Sequence, residues 1–160
     1  MSGKFSGFEA CDVLGSNRLD RIVGGSGGDT LNGGFGGDLL RGGAGVDLLI
    51  GGGSEQDWLV FANLSDFTAG RPATTADFGF GGGADLIGLT AIDANAATPE
   101  NDAFGYVGLA AFTAAGQIRV AQDGVDAIVQ INATGIGLAE MEIRLANFDA
   151  ATLTAADFSF

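Results

Sequence analysis

Five aspartates recur in the first third of the chain at intervals of nine residues, with ten before the last: Asp20, Asp29, Asp38, Asp47 and Asp57. Carboxylates brought together by a fold repel one another, and burying them without partners is costly. A hard divalent cation placed between them reverses the sign of that interaction. Calcium suits such a site because it accepts about six to eight oxygen ligands in a flexible geometry.

Three consecutive nonapeptides carry the middle three aspartates and run without a break from residue 24 to residue 50. Each fits G-G-x-G-x-D-x-U-x, in which U is a large aliphatic residue. The glycines permit a tight reversal, and x-U-x is a minimal strand whose central side chain points inward. A flexible glycine-rich linker would show no such period. The expected inward column is Ile22, Leu31, Leu40, Leu49 and Leu59.

Two nonapeptides are expected to complete one turn of a flattened right-handed coil, so that loops 18 residues apart stack. Backbone carbonyls must then supply most of the metal ligands, and they alternate in direction along an extended turn. Positions 1 and 3 of each loop would face one neighbouring loop, and positions 2 and 4 the other. Pairs of stacked loops suggest about three calcium ions. The expected carbonyl ligands are Gly24, Ser26, Gly33, Phe35, Gly42 and Ala44 at positions 1 and 3, and Gly25, Gly27, Gly34, Gly36, Gly43 and Gly45 at positions 2 and 4.

These nonapeptides resemble the RTX (repeats-in-toxin) repeats of proteins exported by bacterial type I secretion. A degenerate lead-in precedes them, and from Phe8 and Glu9 onward it resembles the worn repeats that open such arrays. The second half is similar to the C-terminal domain of serralysin-type proteins. The segments that carry this similarity are 77–89, 112–119, 142–145 and 153–158.

The predicted fold is all-β: a calcium-stapled parallel β-roll (right-handed β-helix) that continues into an antiparallel, sandwich-like C-terminal part. We expect one module over residues 1–160, with the roll in 1–61 and a C-terminal β cap in 62–160. Asp123-Gly124 is a hairpin signal between two strands. Strict alternation places Met141, Ile143 and Leu145 toward a core.

The composition excludes several classes of function. A formal net charge of −13 disfavours nucleic acids and anionic membrane surfaces as partners, and no segment is apolar enough for membrane insertion. The absence of histidine removes zincin-type zinc sites and Ser-His or Cys-His nucleophiles. Carboxylate pairs for glycoside hydrolysis remain possible, although most acids have a place in a loop or turn. We therefore expect no catalytic residues and no organic cofactor.

The resemblance implies a non-catalytic calcium-binding module of a larger secreted bacterial protein, joined to an upstream effector. Such a module stays unfolded inside the cell and folds on calcium outside it. Residues 1–16 lack the features of a secretory signal peptide. Export by the type I machinery would then use a C-terminal signal, for which 157–160 supplies an acid followed by apolar residues. The alternative is a calcium-dependent adhesion or polysaccharide-binding module.

Overall fold

The computed structural model of the chain describes residues 2–4, 10–66, 70–95, 97–98, 100–135 and 137–160. Phe8 and Glu9, where the worn repeats were predicted to begin, lie outside these ranges. The described residues form strands, turns and three short 3-10 helices, and no helix among them is long and apolar enough to cross a membrane. The all-β prediction is therefore confirmed.

The strands of the described ranges are numbered here in chain order. They are β1 (Ser2–Lys4), β2 (Asp12–Ser16), β3 (Arg21–Val23), β4 (Thr30–Gly34), β5 (Leu39–Arg41), β6 (Leu48–Gly52), β7 (Trp58–Val60), β8 (Ala73–Thr75), β9 (Leu86–Gly88), β10 (Gly105–Tyr106), β11 (Gln117–Asp123), β12 (Asp126–Asn132), β13 (Met141–Leu145) and β14 (Phe158–Ser159). The 3-10 helices are Phe80–Gly82, Ala150–Thr152 and Ala155–Asp157.

Consecutive strands of the roll alternate between two sheets. The six-stranded sheet has the order β1-β3-β5-β7-β9-β14 and is parallel throughout. In the eight-stranded sheet, β2, β4, β6 and β8 are parallel neighbours. Ile22 pairs with Leu40 and Leu31 with Leu49, which is the predicted 18-residue period. Two nonapeptides therefore make one turn of the coil.

The aliphatic residue two places after each repeat aspartate faces the interior between the two sheets. The predicted inward column is confirmed, because each member is at most 1% exposed: Ile22, Leu31, Leu40, Leu49 and Leu59. A three-residue strand can bury only its central side chain on this face, which explains why one aliphatic residue per nonapeptide suffices. The column continues into a core shared with the C-terminal half.

The parallel stack extends beyond residue 61, where the sequence placed the end of the roll. Leu49 pairs with Thr75 on β8, and Leu59 pairs with Ile87 on β9. Thr75 and Ile87 are fully buried, so the inward column gains two members. The nonapeptide pattern is lost after residue 57, but the alternation of buried and outward residues is kept.

The C-terminal half is antiparallel where the sequence predicted it to be. Strands β11, β12 and β13 form an antiparallel meander, and β13 joins the roll by pairing in parallel with β8. Met141, Ile143 and Leu145 are fully buried, as predicted. The hairpin is confirmed with a shift of one residue: Asp123 pairs with Asp126, so the two-residue connection is 124–125 instead of Asp123-Gly124.

Leu40 and its neighbour Leu39 offer a matched test of the inward column. Leu40 is fully buried, whereas Leu39 is half-buried on the outer face of the same strand. Leu40→Ala should lower the free energy of unfolding by about 2–5 kcal/mol, because it removes buried methyl groups and leaves a cavity. Leu39→Ala should cost clearly less. Denaturant unfolding in calcium buffer measures both, and equal losses would contradict the inward column.

Candidate metal centre

The glycine-rich loops stack in two columns, one at each edge of the flattened coil. We call the loops that lead into the six-stranded sheet the long column; their last residues are Asp20, Asp38, Asp57 and Asp85. The loops that lead into the eight-stranded sheet form the short column, which contains Asp29 and Asp47. All six aspartates are at most 5% exposed.

In the long column, each aspartate is bound to the backbone of the aspartate one coil earlier. The N–H of Asp20 donates to Oδ1 of Asp38 over 2.7 Å, and the N–H of Asp38 donates to Oδ1 of Asp57 over 2.7 Å. The N–H of Asp57 continues the series to Oδ1 of Asp85 over 3.1 Å. The first carboxylate oxygen of Asp38, Asp57 and Asp85 is therefore occupied by the stack itself.

The short column follows the same rule. The N–H of Asp29 donates to Oδ1 of Asp47 over 2.9 Å, and the N–H of Cys11 donates to Oδ1 of Asp29 over 2.8 Å. Cys11 thus occupies the aspartate position of the preceding coil, 18 residues before Asp29. Burial, followed by the nearby carboxylate of Asp29, raises the pKa of the Cys11 thiol to about 11. A thiol that stays protonated at neutral pH is a poor metal ligand.

The second carboxylate oxygens divide the aspartates into two groups. In Asp29, Oδ2 accepts the N–H of Gly25 over 2.7 Å. In Asp38, Asp47 and Asp57, Oδ2 is buried and has no hydrogen-bond partner among the described residues. An ionised oxygen in that position costs free energy unless a positive charge compensates it.

The pKa values of these carboxyl groups reflect the same cost of burying a negative charge. Burial raises the pKa of Asp38 and of Asp47 to about 6. For Asp57, burial and the neighbouring carboxylates of Asp85, Asp38 and Asp77 raise the pKa to about 7, against a hydrogen bond from the backbone of Asp38. A cation at the unpartnered oxygens would favour the charged form and act against this shift.

The first glycine of each nonapeptide leaves open the space that its own aspartate uses. A Cβ on Gly24 would collide with Oδ2 of Asp29 and with the carbonyl oxygen of Gly42. A Cβ on Gly33 would collide with Oδ2 of Asp38 and lie 2.7 Å from the carbonyl oxygen of Gly51. A carboxylate of one loop and a position-1 carbonyl of the next coil therefore converge on the same small space.

The remaining carbonyls point in the alternating directions that the sequence predicts. The carbonyl oxygens of Gly25 and Gly27, at positions 2 and 4, face the next coil, where a Cβ on Gly43 or Gly45 would collide with them. The carbonyl oxygen of Ala44, at position 3, faces the previous coil and accepts the N–H of Gly27 over 2.7 Å. The predicted carbonyl ligands lie between the strands, except that Gly33 and Gly34 form the end of β4; their ranges are 24–27, 33–36 and 42–45.

The donor set of the columns is made of oxygen atoms. Within the described ranges, no group of three or more His, Cys, Asp or Glu side chains converges as a metal cluster. A cation bound here would have one or two carboxylates and backbone carbonyls as donors, all of them hard oxygen ligands. The space beside the first glycine and the unpartnered buried oxygens fit a hard divalent cation.

Two aspartates that sequence reasoning did not include belong to the long column. Asp77 accepts the N–H groups of Gly51 and Gly52 over 3.0 and 2.7 Å, and Asp85 accepts the N–H of Asp57. Residues 77–85 form a turn that includes a 3-10 helix. The signal was present, because Asp85 precedes an inward-facing Ile87 by two residues as the repeat aspartates do.

The fold and the stacked acidic turns define a parallel β-roll whose strands continue into an antiparallel half. The chain is similar to the solution structure of the AlgE6R3 subunit from the Azotobacter vinelandii mannuronan C5-epimerase. The TM-score is 0.65 at 24% sequence identity, and the match covers 99% of this chain and 80% of that chain. This likeness supports the fold over nearly the whole chain. No family model and no curated protein sequence matches the chain.

A substitution at Gly33 tests the space beside the first glycine. Gly33 has no positive φ, so Gly33→Ala should be harmful because its Cβ meets the side chain of Asp38 and the carbonyl oxygen of Gly51. We expect a loss of about 1–3 kcal/mol in the free energy of unfolding, as for other overpacked sites. Gly105→Ala on β10 is the control, since its Cβ would meet no atom closer than 3.8 Å. Thermal unfolding of both variants that shows no difference would contradict this steric role.

Proposed function

We propose that this chain is a non-catalytic calcium-binding module of a larger secreted protein. The observation that carries the proposal is the set of buried, unpartnered Oδ2 atoms of Asp38, Asp47 and Asp57. Each lies in a turn whose glycine carbonyls face the neighbouring coil. A fold that buried these oxygens without compensation would lose several kcal/mol at each of them.

Calcium is the proposed ion because of the donors that the turns offer. They supply carboxylate and carbonyl oxygens in flexible glycine-rich loops, without imidazole. Calcium tolerates such variable geometry, whereas magnesium requires a near-ideal octahedron and keeps much of its water. Three unpartnered Oδ2 atoms support an estimate of about three ions. The proposed ligands are the repeat aspartates and the carbonyls at positions 1 to 4 of the nonapeptides.

The proposed mechanism couples metal binding to folding. Without the ion, ordering the glycine-rich turns costs backbone entropy, and stacking brings like charges together. Calcium supplies the positive charge that the stacked carboxylates lack, so part of its binding free energy becomes folding free energy. The aliphatic column then packs, and the backbone hydrogen bonds between coils close.

The same coupling supports a role in export. A chain that stays extended where calcium is scarce can be threaded through the type I secretion machinery and can fold outside the cell. The proposed export signal is 157–160, at the end of a C-terminal half that resembles serralysin-type proteins. An effector joined upstream and an extracellular location are part of this proposal. The complete lack of histidine supports the absence of zinc-dependent catalysis in the chain.

Calcium-dependent folding is tested by two isosteric variants. We expect far-UV circular dichroism to change from disordered to β-rich on calcium addition, with a higher calcium midpoint for Asp38→Asn than for Asp29→Asn. Asp38 has an unpartnered oxygen and aspartates on both sides, whereas backbone N–H groups bind both oxygens of Asp29. The shift for Asp38→Asn should be about tenfold or more, or about 1.4 kcal/mol. Identical wild-type spectra in chelator and in calcium would refute the mechanism.

A second candidate function is the binding of an anionic polysaccharide, and one surface favours it. The outward positions of β3, β5 and β7 carry no carboxylate, although the chain contains twenty acidic residues. Arg21 and Arg41 lie on this face together with Trp58, which is 39% exposed. Beside the ring lies an open groove of about 540 Å³, lined by Leu19, Arg21, Gly37, Asp38, Leu39, Gln56 and Trp58. An aromatic ring next to guanidinium groups can stack on a sugar while pairing with its carboxylates.

The groove can be probed with Trp58, the only tryptophan of the chain. If the second candidate is correct, an oligouronate added in calcium buffer should change the fluorescence of Trp58, and a neutral oligosaccharide of equal length should not. Arg21→Gln should weaken the response by about tenfold, since it removes a charge-assisted contact. No response to either sugar would exclude this function for the groove.

A further inference from the structure

We propose that a pocket on the outer face of the antiparallel meander binds a small monocarboxylate, with Arg119 as the anion-binding group. The pocket is open and measures about 180 Å³. Arg119 and Gln130 are its polar side chains, and Phe112 and Leu138 are its large apolar ones. It shares no residue with the loop columns or with the groove beside Trp58, so the inference goes beyond the proposed function and does not rest on it.

Strand alternation places the polar side of the pocket on the outer face of the sheet. Ile118 and Val120 are buried in the core, so Arg119 between them points to the opposite face. Arg119 on β11 pairs with Gln130 on β12, and Gln130 pairs with Glu142 on β13. Three long polar side chains therefore form one row across three strands.

Hydrogen bonds along this row fix the orientation of the guanidinium group. Nε of Arg119 donates to Oε1 of Gln130 over 2.7 Å, and Nε2 of Gln130 donates to Oε1 of Glu142 over 2.6 Å. Oε2 of Glu142 accepts the N–H of Gly70 over 2.8 Å. The neutral amide of Gln130 thus separates the guanidinium from the carboxylate, and the two charges form no direct ion pair.

The positive charge of Arg119 remains available to a ligand. Within the part of the chain that the structure describes, the ion pairs are those of Arg144 with Asp123 and Asp126. The ring of Phe112 covers one face of the Arg119 guanidinium, with 5.4 Å from Cζ to the ring centroid. Because Nε is bound to Gln130, the N–H groups of the two Nη atoms are the remaining donors. They can pair with a carboxylate through two parallel hydrogen bonds.

The opposite wall of the pocket is held against the sheet by Glu140, which directly follows the lining residues 137–139. The N–H of Glu140 donates to the carbonyl oxygen of Ile131 over 2.9 Å. Its carboxylate accepts the N–H of Ala133 over 2.7 Å and the hydroxyl of Thr134. The pocket is therefore formed before any ligand enters, which lowers the entropic cost of binding.

Size and charge together favour a monocarboxylate with a short apolar body. The volume is below the roughly 300–1,000 Å³ of pockets for drug-sized ligands, so the ligand must be small. Phe112 and Leu138 give an apolar surface for the body of the ligand. The carboxylates of Glu140 and Glu142 lie beside the pocket, and their charge disfavours a dianion such as phosphate more than a singly charged carboxylate.

The pocket can be tested by NMR titration of the isotope-labelled full chain in calcium buffer. N-acetyl-leucine should give saturable shifts of the Arg119 Nε–H signal and of the amide signals of 137–139. N-acetyl-leucinamide has the same body without the charge and should give none. Arg119→Gln should weaken binding of the acid by about tenfold or more. Arg71→Gln is the matched control, because Arg71 is exposed and outside the pocket, and it should bind like the wild type.

The wild-type titrations decide the proposal even if Arg119→Gln does not fold. Equal shifts with the acid and the amide, or no shift at the pocket with the acid, would overturn it. Inorganic phosphate that binds as tightly as the acid would contradict the selection of a monocarboxylate. A short peptide ending in leucine with a free carboxylate distinguishes two sources of the ligand. Binding tighter than that of N-acetyl-leucine would assign the pocket to a polypeptide C-terminus, and equal or weaker binding would assign it to a free acid.

Discussion

The structure depends on how the negative charge of the buried, stacked carboxylates is compensated. One oxygen of each repeat aspartate from Asp29 onward is bound by the backbone of the coil before it, and this contact fixes the register of the columns. The second oxygen, Oδ2, differs from one aspartate to the next in whether it has a hydrogen-bond donor. Where a backbone amide reaches it, as in Asp29, both carboxylate oxygens have a hydrogen-bond donor within the protein. Where none does, as in Asp38, Asp47 and Asp57, a buried oxygen is left for the proposed cation.

Glycine is required in these loops for the space that it leaves as well as for its backbone freedom. At Gly24 and Gly33 the backbone has ordinary φ values, yet a Cβ would occupy the volume where carboxylate and carbonyl oxygens meet. At Gly43 and Gly45, φ values of 106° and 128° lie in the left-handed region, which residues with a Cβ rarely adopt. One residue type thus meets a steric and a conformational requirement, which explains why the glycine pattern is strict in the regular repeats.

The sequence predicts the roll well because a single period determines both the strand and the loop. A nine-residue repeat places Leu31 and Leu40 in one buried column and stacks Asp29 on Asp47 without further information. Asp85 was missed because 28 residues separate it from Asp57, instead of 18, so that no period links them. The hairpin was displaced by one residue because turn composition indicates a reversal but not which pair of residues closes it.

The hydrogen bond from the N–H of Asp57 to Asp85 shows that sequences other than the nonapeptide can form the same contact between successive coils. This contact requires an aspartate two places before an inward aliphatic residue and a backbone N–H from the previous coil. It also requires glycine where the carbonyls of the neighbouring coil approach. Residues 77–89 meet these conditions with a 3-10 turn in place of the regular loop. The core is also continuous across residue 61, from Leu59 to Ile87. The compensation of charge in the columns and the packing of the C-terminal half are therefore parts of one cooperative structure.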